Sequence, residues 1–358
     1  MTDSLEKRNI LFLVTKSEVG GAQKYVKEQI DICVNDFNVY LAVNQTGWLS
    51  EVAADKVKEF FFDKRIESSR TSPGYLFGLL KFIKRNKIDL VVANSANAGL
   101  YGRLAARFAG ISCVYVSHGW SSVYNGGRLA FLLNGIERFL GNISDKVLCV
   151  SENDYLVARE TIKLPASKLI MIKNSIFPIN KTDSDRVVTK AGKLKLLCVA
   201  RFAPPKRIHL LIDALQGIDF ADLYLVGTGP QEHSVKEYIE KNDLRNVKLL
   251  GEIQNFDDFI SYDAFILVSD SEGLPISALE AMSSGLPLIL SNVGGCKEIV
   301  VNSDLLVENS IEDIKRAISI LNEHYSDLRK PVKPFFDANF NLLLNQDRYL
   351  DLYRSLIK

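Results

Sequence analysis

Short apolar runs alternate along this chain with helical hydrophobic patterns, and they do so in two successive series. The runs of the first series are residues 9–15, 39–43, 90–93, 113–117 and 146–150. Those of the second series are residues 194–200, 223–226, 247–250, 264–268 and 288–290. Strands that alternate with helices are typical of βα units and parallel sheets. The chain is therefore predicted to be an α/β protein with two Rossmann-like β/α/β domains.

The joint between the two series is a polar stretch without periodicity at residues 176–186, which is typical of a linker. We expect an amino-terminal domain over residues 1–175 and a carboxyl-terminal domain over residues 176–340. Beyond two prolines, Pro331 and Pro334, residues 341–358 are predicted to form a last helix. Its apolar residues, which recur on repeating faces, are Leu342, Leu343, Tyr349, Leu352, Tyr353 and Leu356.

Composition and charge narrow the class of protein. The 358 residues are 47% hydrophobic and 24% charged, which is typical of a globular protein long enough for two domains. Residues 1–173 carry 23 Lys and Arg against 17 Asp and Glu, whereas residues 174–358 carry 21 against 26. This basic excess is too small for a nucleic-acid partner to be expected. An anionic acceptor or an anionic membrane face remains open for the amino-terminal half.

The cysteines and the amino terminus indicate the compartment. There are five cysteines without a C-x-x-C pair, and Cys113, Cys149 and Cys198 lie in apolar strand-like runs, which is typical of core residues in a reducing compartment. No metal site, cofactor or disulfide is expected. Residues 1–8 are polar, and no apolar run reaches the roughly 18 residues of a membrane span. We expect a cytoplasmic protein, with peripheral contact at the inner face of the plasma membrane left open.

The most informative segment follows the predicted strand at residues 264–268 and reads EGLPISALEAMSSGLP at residues 272–287. Pro275 suits the first helical position, and Ile276, Leu279 and Met282 recur at helical spacing, so a helix is predicted from about Pro275 to Ser284. Its free N–H groups and the positive end of its dipole favour an anion such as a diphosphate. The residues expected to bind the diphosphate-bearing substrate at this helix start are Gly273, Leu274, Pro275 and Ile276.

Two glutamates flank that helix start. Glu280 lies about 7 to 8 Å along the axis from Pro275, close enough to reach a ribose whose phosphates rest on the helix N-terminus. Glu272, in the loop, is expected to face the sugar. The spacing of these glutamates, with Gly273, Pro275, Ala281, Gly285 and Pro287 in register, resembles the signature of retaining GT-B glycosyltransferases of family 4.

The resemblance covers almost the whole chain and implies more than the motif does. It implies the GT-B fold, in which two Rossmann-like domains face each other across a cleft and the last helix crosses back to the amino-terminal domain. It also implies that the carboxyl-terminal domain binds the nucleotide sugar and the amino-terminal domain binds the acceptor.

Two cations follow the first strand of the second series. Arg201 offers a planar fork and Lys206 a point charge, which together can neutralise a diphosphate and stabilise it as a leaving group. The segment resembles the family's R-x-x-x-x-K-G element, and we predict catalytic roles for both cations. One departure is that Arg207 replaces the family's glycine, which can alter how the loop approaches the phosphates.

Other loops of the second series resemble family elements. Gly227 and Gly229 match the family's G-x-G-P loop, where glycine permits close backbone approach to a ligand. Ile253 lies where the family binds the base, and both glycines and Ile253 are expected to contact the donor. Gly294 and Gly295 resemble a G-G-x-x-E turn that keeps the loop of Glu272 against the site.

The loops of the first series carry the other expected site residues. Gly20 and Gly21 open a helix after the first strand, where the resemblance implies contact with donor phosphates and acceptor, although a plain turn is equally consistent with the residues. The absence of G-x-G-x-x-G argues against a nicotinamide dinucleotide. His118, at a strand end, takes from the resemblance a catalytic role beside the transferred sugar. Ser151 is placed at the substrate or, as a helix N-cap, in a structural role.

The segment at residues 75–87 combines an apolar helical face with four cations near its end. Such a helix either lies on an anionic membrane or packs on its sheet with a favourable cationic C-terminus. The residues alone leave both interpretations open.

The function predicted from these residues and the resemblance is a retaining, metal-independent hexosyltransferase. It would move a sugar from a UDP-sugar, or from GDP-mannose, to a glycan or lipid-linked acceptor in cell-surface polysaccharide synthesis. Two alternatives stay open: a nucleotide-sugar epimerase of the same fold, and a non-catalytic nucleotide-sugar-binding module.

Overall fold

The computed structural model of the chain describes residues 7–68, 72–120, 123, 127–179 and 192–357. Its residues form two compact units, one of Met1–Asn174 with Leu344–Lys358 and one of Ser175–Leu343. Of the predicted linker, residues 180–186 lie outside the described part of the chain. Ile176 pairs with Asn341 in an isolated parallel bridge within the second unit.

The first unit is built on a seven-stranded sheet whose neighbouring strands are all parallel. The order across the sheet is β3-β2-β1-β4-β5-β6-β7. The strands are β1 (Arg8–Val14), β2 (Phe37–Val43), β3 (Val57–Phe62), β4 (Leu90–Asn94), β5 (Ser112–Ser117), β6 (Lys146–Cys149) and β7 (Leu169–Met171).

Helices connect these strands. They are α1 (Gly21–Cys33), α2 (Trp48–Val52), α3 (Pro73–Arg85), α4 (Ala96–Ala109), α5 (Ala130–Ile143) and α6 (Glu152–Leu156), the last continued by a π-helical turn at Val157–Thr161.

Helix α3 covers the segment for which the sequence left two interpretations open. Tyr75, Leu79, Phe82 and Ile83 are buried and join the hydrophobic core around Val91 of β4. The face of α3 that these four residues form therefore packs on its own sheet, whereas Phe77 of the same helix is 73% exposed.

The second unit has a six-stranded parallel sheet in the order β10-β9-β8-β11-β12-β13. Its strands are β8 (Leu194–Val199), β9 (Ala221–Val226), β10 (Val247–Gly251), β11 (Ala264–Leu267), β12 (Leu288–Ser291) and β13 (Leu306–Val307). Its helices are α7 (Ile208–Leu215), α8 (Glu232–Lys241), α9 (Ile276–Ser283), α10 (Ile311–Glu323), α11 (Tyr325–Arg329) and α12 (Val332–Asn339). Pro331 precedes α12 and Pro334 lies in its first turn, where a missing N–H costs nothing.

The last helix, α13 (Leu342–Leu356), packs on the first unit from Leu344 onward. The Tyr353 hydroxyl bonds to the side-chain oxygen of Gln29 on α1 at 2.8 Å, and the Tyr353 ring meets Phe12 of β1 edge to face. Of the apolar residues expected on its packed faces, Leu343 is instead 54% exposed. The helix thereby becomes part of the first unit's core.

Both sheets reverse their strand order in the same way, between β1 and β4 in one and between β8 and β11 in the other. In doubly wound sheets, ligands bind outside the carboxyl ends of the strands at this switch point. The predicted strands were found within about two residues of their observed ends, whereas β3, β7 and β13 were missed. Strand β3 carries charges and is only half-buried, and β7 and β13 have three and two residues, too few for a pattern.

Candidate functional site

In the second unit, the loops that follow β8 and β11 flank the switch point and carry the predicted catalytic residues. Their backbones are joined: the Arg207 N–H donates to Val268 O at 2.9 Å, and the Asp270 N–H donates to Pro205 O at 2.9 Å. Lys206 and Ser269 pair in an isolated antiparallel bridge. These bonds hold the cation-bearing loop and the glutamate-bearing loop in one fixed arrangement.

The side chains of Lys206 and Glu272 meet across these loops. The Lys206 Nζ donates a hydrogen bond to Glu272 Oε1, and the two side chains are only 19% and 10% exposed. Arg201, by contrast, has an exposed side chain that forms no ion pair within the described part of the chain. The site therefore combines one cation already balanced by a carboxylate with one cation available to an anionic ligand.

Arg207, which replaces the glycine of the family pattern, pairs with the neighbouring loop. Its Nε lies 2.8 Å from Asp270 Oδ1, and Asn309 Nδ2 donates to the same oxygen at 3.2 Å. Both side chains of the pair are about half exposed, so the pair contributes little stability. It adds a second side-chain link between the two loops.

The glutamate-bearing loop leads into α9, whose apolar residues at helical spacing, Ile276, Leu279 and Met282, are all buried as the pattern predicted. The position of Pro275 was predicted wrongly. Its ψ of 120° is extended, so Pro275 is the N-cap and the helix begins at Ile276. Glu280 lies inside the helix and is half-buried.

The glycines after β9 lie close to backbone of this unit rather than to open space. A Cβ on Gly227, at φ +140°, would lie 1.9 Å from Ala200 O, and one on Gly229 would lie 2.5 Å from Phe202 O. The Gly227 N–H donates to Gly251 O at 2.8 Å. The two glycines thus allow the loop after β9 to pack closely against the backbone of Ala200 and Phe202, the residues on either side of Arg201.

Ile253 lies two residues beyond β10 and is 41% exposed. Since Gly251 is bonded to Gly227, the ends of β10, β9 and β8 form a continuous row leading to Arg201. By contrast, Leu274 and Ile276 are almost fully buried, so their side chains serve the core and only their backbone groups are available to a ligand.

The turn containing Gly294 supports the glutamate-bearing loop, as its sequence suggested. The Gly295 N–H donates to Gly273 O at 2.8 Å, and a Cβ on Gly294 would lie 1.7 Å from Glu272 O. A glycine is therefore required at Gly294 for Glu272 to occupy its position.

Sequence reasoning missed a polar network beneath the same loop. The Ser269 N–H donates to Ser291 Oγ at 2.9 Å, and Ser291 Oγ bonds in turn to Asn309 Oδ1 at 2.6 Å. Ser269 and Ser291 are buried. The only signal in the sequence was a polar residue directly after each of two apolar runs, which is common in loops without function.

In the first unit, His118 follows β5 directly. Asn94 Nδ2 donates to Val92 O, which turns the amide oxygen of Asn94 toward His118. Because an amide oxygen can only accept, His118 Nε2 donates to Asn94 Oδ1 at 3.1 Å. The ring meets Tyr25 of α1 edge to face with centroids 4.8 Å apart. Burial lowers the pKa of His118 to about 4, so the imidazole is neutral at pH 7. Asn94 and Tyr25 were not singled out from the sequence.

The glycine-rich loop of the first unit leads into the same helix. Gly20 is the N-cap of α1 in an extended conformation, and Gly21 begins the helix. Nearby, the Thr15 hydroxyl bonds to the Ser95 hydroxyl at 2.7 Å across the β1–β4 switch point. Ser95 has φ +78°, a conformation that non-glycine residues rarely adopt and that clusters at functional sites. The ends of β1 and β4 are thus joined at the switch point of this sheet.

Ser151 follows β6 on the same edge. It is fully buried, and its Oγ accepts a hydrogen bond from the Asp154 N–H at 3.0 Å. The helix N-cap, one of the two roles that the sequence left open, is therefore the role that the structure displays.

The cysteine side chains are free thiols and all five are buried. Burial raises the pKa of the Cys113 and Cys198 thiols to about 12, so these side chains behave as core residues. Among the described residues, no three or more His, Cys, Asp or Glu side chains are grouped so that they could hold a metal ion.

Comparisons with known proteins show the family to which the chain belongs. The sequence profile described as Glycosyl transferases group 1 matches residues 180–333, and the profile described as Glycosyltransferase Family 4 matches residues 19–177. The O-antigen biosynthesis glycosyltransferase WbnH of Escherichia coli is 35% identical over 357 residues, covering 98% of this chain and 99% of that protein.

Two further proteins extend the comparison. A UDP-Gal:alpha-D-GlcNAc-diphosphoundecaprenol alpha-1,3-galactosyltransferase of E. coli is 26% identical, covering 95% of each chain. The crystal structure of Anabaena Alr3699/HepE in complex with UDP and glucose superposes with a TM-score of 0.83 at 20% identity, covering 98% of this chain and 100% of that one. The chain therefore belongs to the group 1 glycosyl transferases of family 4 and is a glycosyltransferase with the GT-B fold.

Proposed function

We propose that this glycosyltransferase moves a hexose, with retention of configuration, from a UDP-sugar to a lipid-linked or glycan acceptor in polysaccharide synthesis. The observation that carries the proposal is the junction of two loops at the β8–β11 switch point. It sets Lys206 against Glu272, in loops that also carry the exposed Arg201 and lead to the start of α9.

The donor is proposed to bind in the second unit. The diphosphate would rest on the backbone N–H groups at the start of α9, where the helix dipole favours negative charge. Glu280 would bond the ribose, and the base would lie along the row of strand ends that leads to Ile253. A UDP-sugar is preferred because the E. coli galactosyltransferase names UDP-Gal and the Anabaena structure contains UDP. GDP-mannose remains the second donor to be tested.

In the proposed reaction, the bond between the anomeric carbon and the β-phosphate oxygen breaks, and positive charge develops on that carbon. The acceptor hydroxyl oxygen forms the new bond and its proton passes to the departing diphosphate. Arg201 and Lys206 stabilise the negative charge on the leaving oxygens. Because the charge of Lys206 is partly balanced by Glu272, Arg201 neutralises the larger part of the negative charge that develops on the leaving diphosphate.

Glu272 is proposed to orient the sugar hydroxyls and not to act as a covalent nucleophile. Retaining glycosidases use two carboxylates placed across the anomeric carbon. Glu272 is instead bonded to Lys206, which makes it a weaker nucleophile and a rigid hydrogen-bond acceptor.

The acceptor is proposed to bind in the first unit. His118 would hydrogen-bond the transferred sugar or the acceptor hydroxyl as a neutral imidazole, with Asn94 fixing its tautomer. Gly20 and Gly21 would border the phosphates or the acceptor. A diphosphoundecaprenol-linked sugar is the acceptor class we favour, because the E. coli galactosyltransferase is named for such an acceptor. The buried free thiols agree with a cytoplasmic location.

The test is incubation of the purified protein with a panel of UDP- and GDP-sugars, with and without EDTA, and with diphosphoundecaprenol-linked sugars as acceptors. We expect acceptor-dependent release of UDP from one donor, unaffected by EDTA, and an α-linked product from an α-linked donor by NMR. The variant Arg201→Ala serves as the inactive control.

Three outcomes would contradict the proposal. Inversion at the anomeric carbon would exclude retention, and donor interconversion without nucleotide release would indicate an epimerase. Tight donor binding without turnover, with any acceptor of the panel, would indicate a binding module.

A further inference from the structure

The outward face of α5 is apolar and exposed. Phe131, Leu132, Ile136 and Phe139, together with Leu129 just before the helix, are each between 50 and 74% exposed. Leu129, Leu132, Ile136 and Phe139 follow one another at intervals of three, four and three residues, so they form one stripe along the helix. Stripes of this kind normally face a core. Here the stripe faces away from the unit to which the helix belongs.

The opposite face of α5 is firmly attached. Leu140 is buried, and the Glu137 carboxylate accepts a hydrogen bond from Arg103 of α4 at 2.9 Å. The Arg138 Nε donates to Ile162 O at 2.8 Å. The exposed stripe therefore belongs to a helix held by specific contacts and not to a terminus that frays.

On α5 and in the last turn of α4, the charged side chains without an opposite charge as partner are cations. Glu137 is the only acidic residue of α5, and its carboxylate is paired with the nearly fully buried Arg103. Arg138 is an exposed residue although its Nε is bonded to Ile162 O, and Arg107 and Phe108 are exposed in the last turn of α4. Arg107 lies one turn beyond Arg103, on the face of α4 that contacts α5. The neighbourhood of the stripe thus offers cations and no free carboxylate from α5.

We propose that this surface, consisting of Leu129, Phe131, Leu132, Ile136 and Phe139, docks the protein on a phospholipid bilayer that contains anionic lipid. An apolar stripe flanked by arginines is typical of a helix that lies in the plane of the headgroups. At 14 residues, α5 is about 21 Å long, too short for the roughly 30 Å hydrocarbon core. No helix in the described ranges has the length and apolar character of a membrane span.

A bilayer fits this surface better than a second copy of the chain. The cations beside the stripe, and the basic excess of residues 1–173, complement anionic headgroups and would repel the same surface on a second copy. The choice also rests on the proposed function, because an acceptor linked to undecaprenol is confined to a membrane. A surface that holds the acceptor-binding unit there would raise the rate at which the two meet.

The test measures sedimentation of the full-length protein with vesicles of phosphatidylcholine, with and without phosphatidylglycerol, in the absence of donor and acceptor. The variant Ile136→Ser/Phe139→Ser removes two residues of the stripe. The matched control is Leu343→Ser/Leu344→Ser, which changes two residues of similar exposure on α13.

We expect the wild type and the control to bind the anionic vesicles equally, and the stripe variant to bind at least about tenfold more weakly. Arg107→Gln should weaken binding to the anionic vesicles by about fivefold and leave binding to neutral vesicles unchanged. Thermal unfolding of all variants should match the wild type, because the replaced side chains are exposed.

The proposal is overturned if the wild type does not sediment, or if the stripe variant sediments as well as the wild type. A wild-type dimer that becomes a monomer in the stripe variant, without vesicle binding, would assign the surface to a second copy. Donor turnover without vesicle binding would reject the docking surface alone. Vesicle binding without donor turnover would reject the proposed function alone.

Discussion

The Lys206 ammonium donates a hydrogen bond to the Glu272 carboxylate, although the two residues are 66 positions apart in the chain. The contact forms because β8 and β11 are neighbours in the sheet and their loops are joined by backbone hydrogen bonds on both sides. It places the cation that we propose to stabilise the leaving group and the carboxylate that we propose to orient the sugar in the same part of the proposed donor site. Four predictions concern this pair, the neighbouring Arg201 and Gly294, and His118 in the first unit.

Replacing Arg201 or Lys206 with Ala should lower kcat by about a hundredfold or more, because each cation is proposed to stabilise charge that appears only in the transition state. Steady-state release of nucleotide diphosphate measures this effect. Lys236→Ala, an exposed lysine on α8, is the matched control and should retain wild-type kcat. Unchanged kcat in both site variants would remove these residues from the mechanism.

The Lys206–Glu272 pair should also stabilise the fold of the second unit. Lys206→Met leaves a largely buried carboxylate without its partner, and Glu272→Gln leaves a largely buried ammonium without a counter-charge. Each should lower the free energy of unfolding by about 1 to 3 kcal/mol. The double variant should lose less than the sum of the two single losses. Urea unfolding of the four proteins gives the coupling energy, and strict additivity would show that the pair contributes nothing.

Gly294→Ala should displace Glu272, because the new Cβ would lie 1.7 Å from the Glu272 carbonyl oxygen. We expect a loss of more than about 2 kcal/mol in stability together with a fall in kcat. Gly285→Ala separates the effect of backbone strain from the effect of the clash. Gly285 also has a positive φ, +77°, but a Cβ added there would lie 3.8 Å from the nearest atom. It should cost about 1 kcal/mol and leave kcat unchanged. Equal effects of the two variants would contradict the role assigned to Gly294.

His118 should make the first unit acid-sensitive. Its pKa of about 4 in the folded chain lies below the ordinary 6.5, so the unfolded chain binds the proton more tightly between these values. The free energy of unfolding should therefore fall as the pH drops from about 6.5 to 4, by at most about 3 kcal/mol. Tryptophan fluorescence reports on this unit alone, because both tryptophans, Trp48 and Trp120, belong to it.

His118→Gln keeps the chance of a bond to Asn94 but removes the titration. The pH dependence of stability in this range should be smaller in the variant by the amount that His118 contributes. A variant whose stability changes with pH as the wild type's does would show that His118 is not held neutral by the fold.

Much of the fold was predictable because its signals are local. Fully buried parallel strands, such as those at residues 10–14 and 264–267, are continuous apolar runs, and α9 was found within one residue at each end because its buried face repeats every three to four residues. The start of α9 was predicted one residue too early, at Pro275, because proline suits both the first helical position and an extended N-cap. The weakly buried strand β3 gave no pattern to detect.

The sequence motifs predict Arg201, Lys206, Glu272 and Glu280 as site residues, and both that assignment and their roles stay predictions. The contacts between these and other residues could not be read from the sequence. The bond between Lys206 and Glu272, the support from Ser291 and Asn309, and the bond from His118 to Asn94 join residues that are far apart in the chain. No single segment contains the information that they meet.

The sequence by itself determined the alternation of strands and helices, the residue types at each strand end and the family of the protein, because these depend on neighbours in the chain. Only the tertiary structure decided which strand ends adjoin and which apolar faces are covered. Helices α3 and α5 carry similar apolar stripes, yet Tyr75, Leu79 and Phe82 are buried while Leu132, Ile136 and Phe139 are exposed. The pattern of a helix specifies that it has an apolar face, and the packing of the other elements decides whether that face meets the core or the solvent.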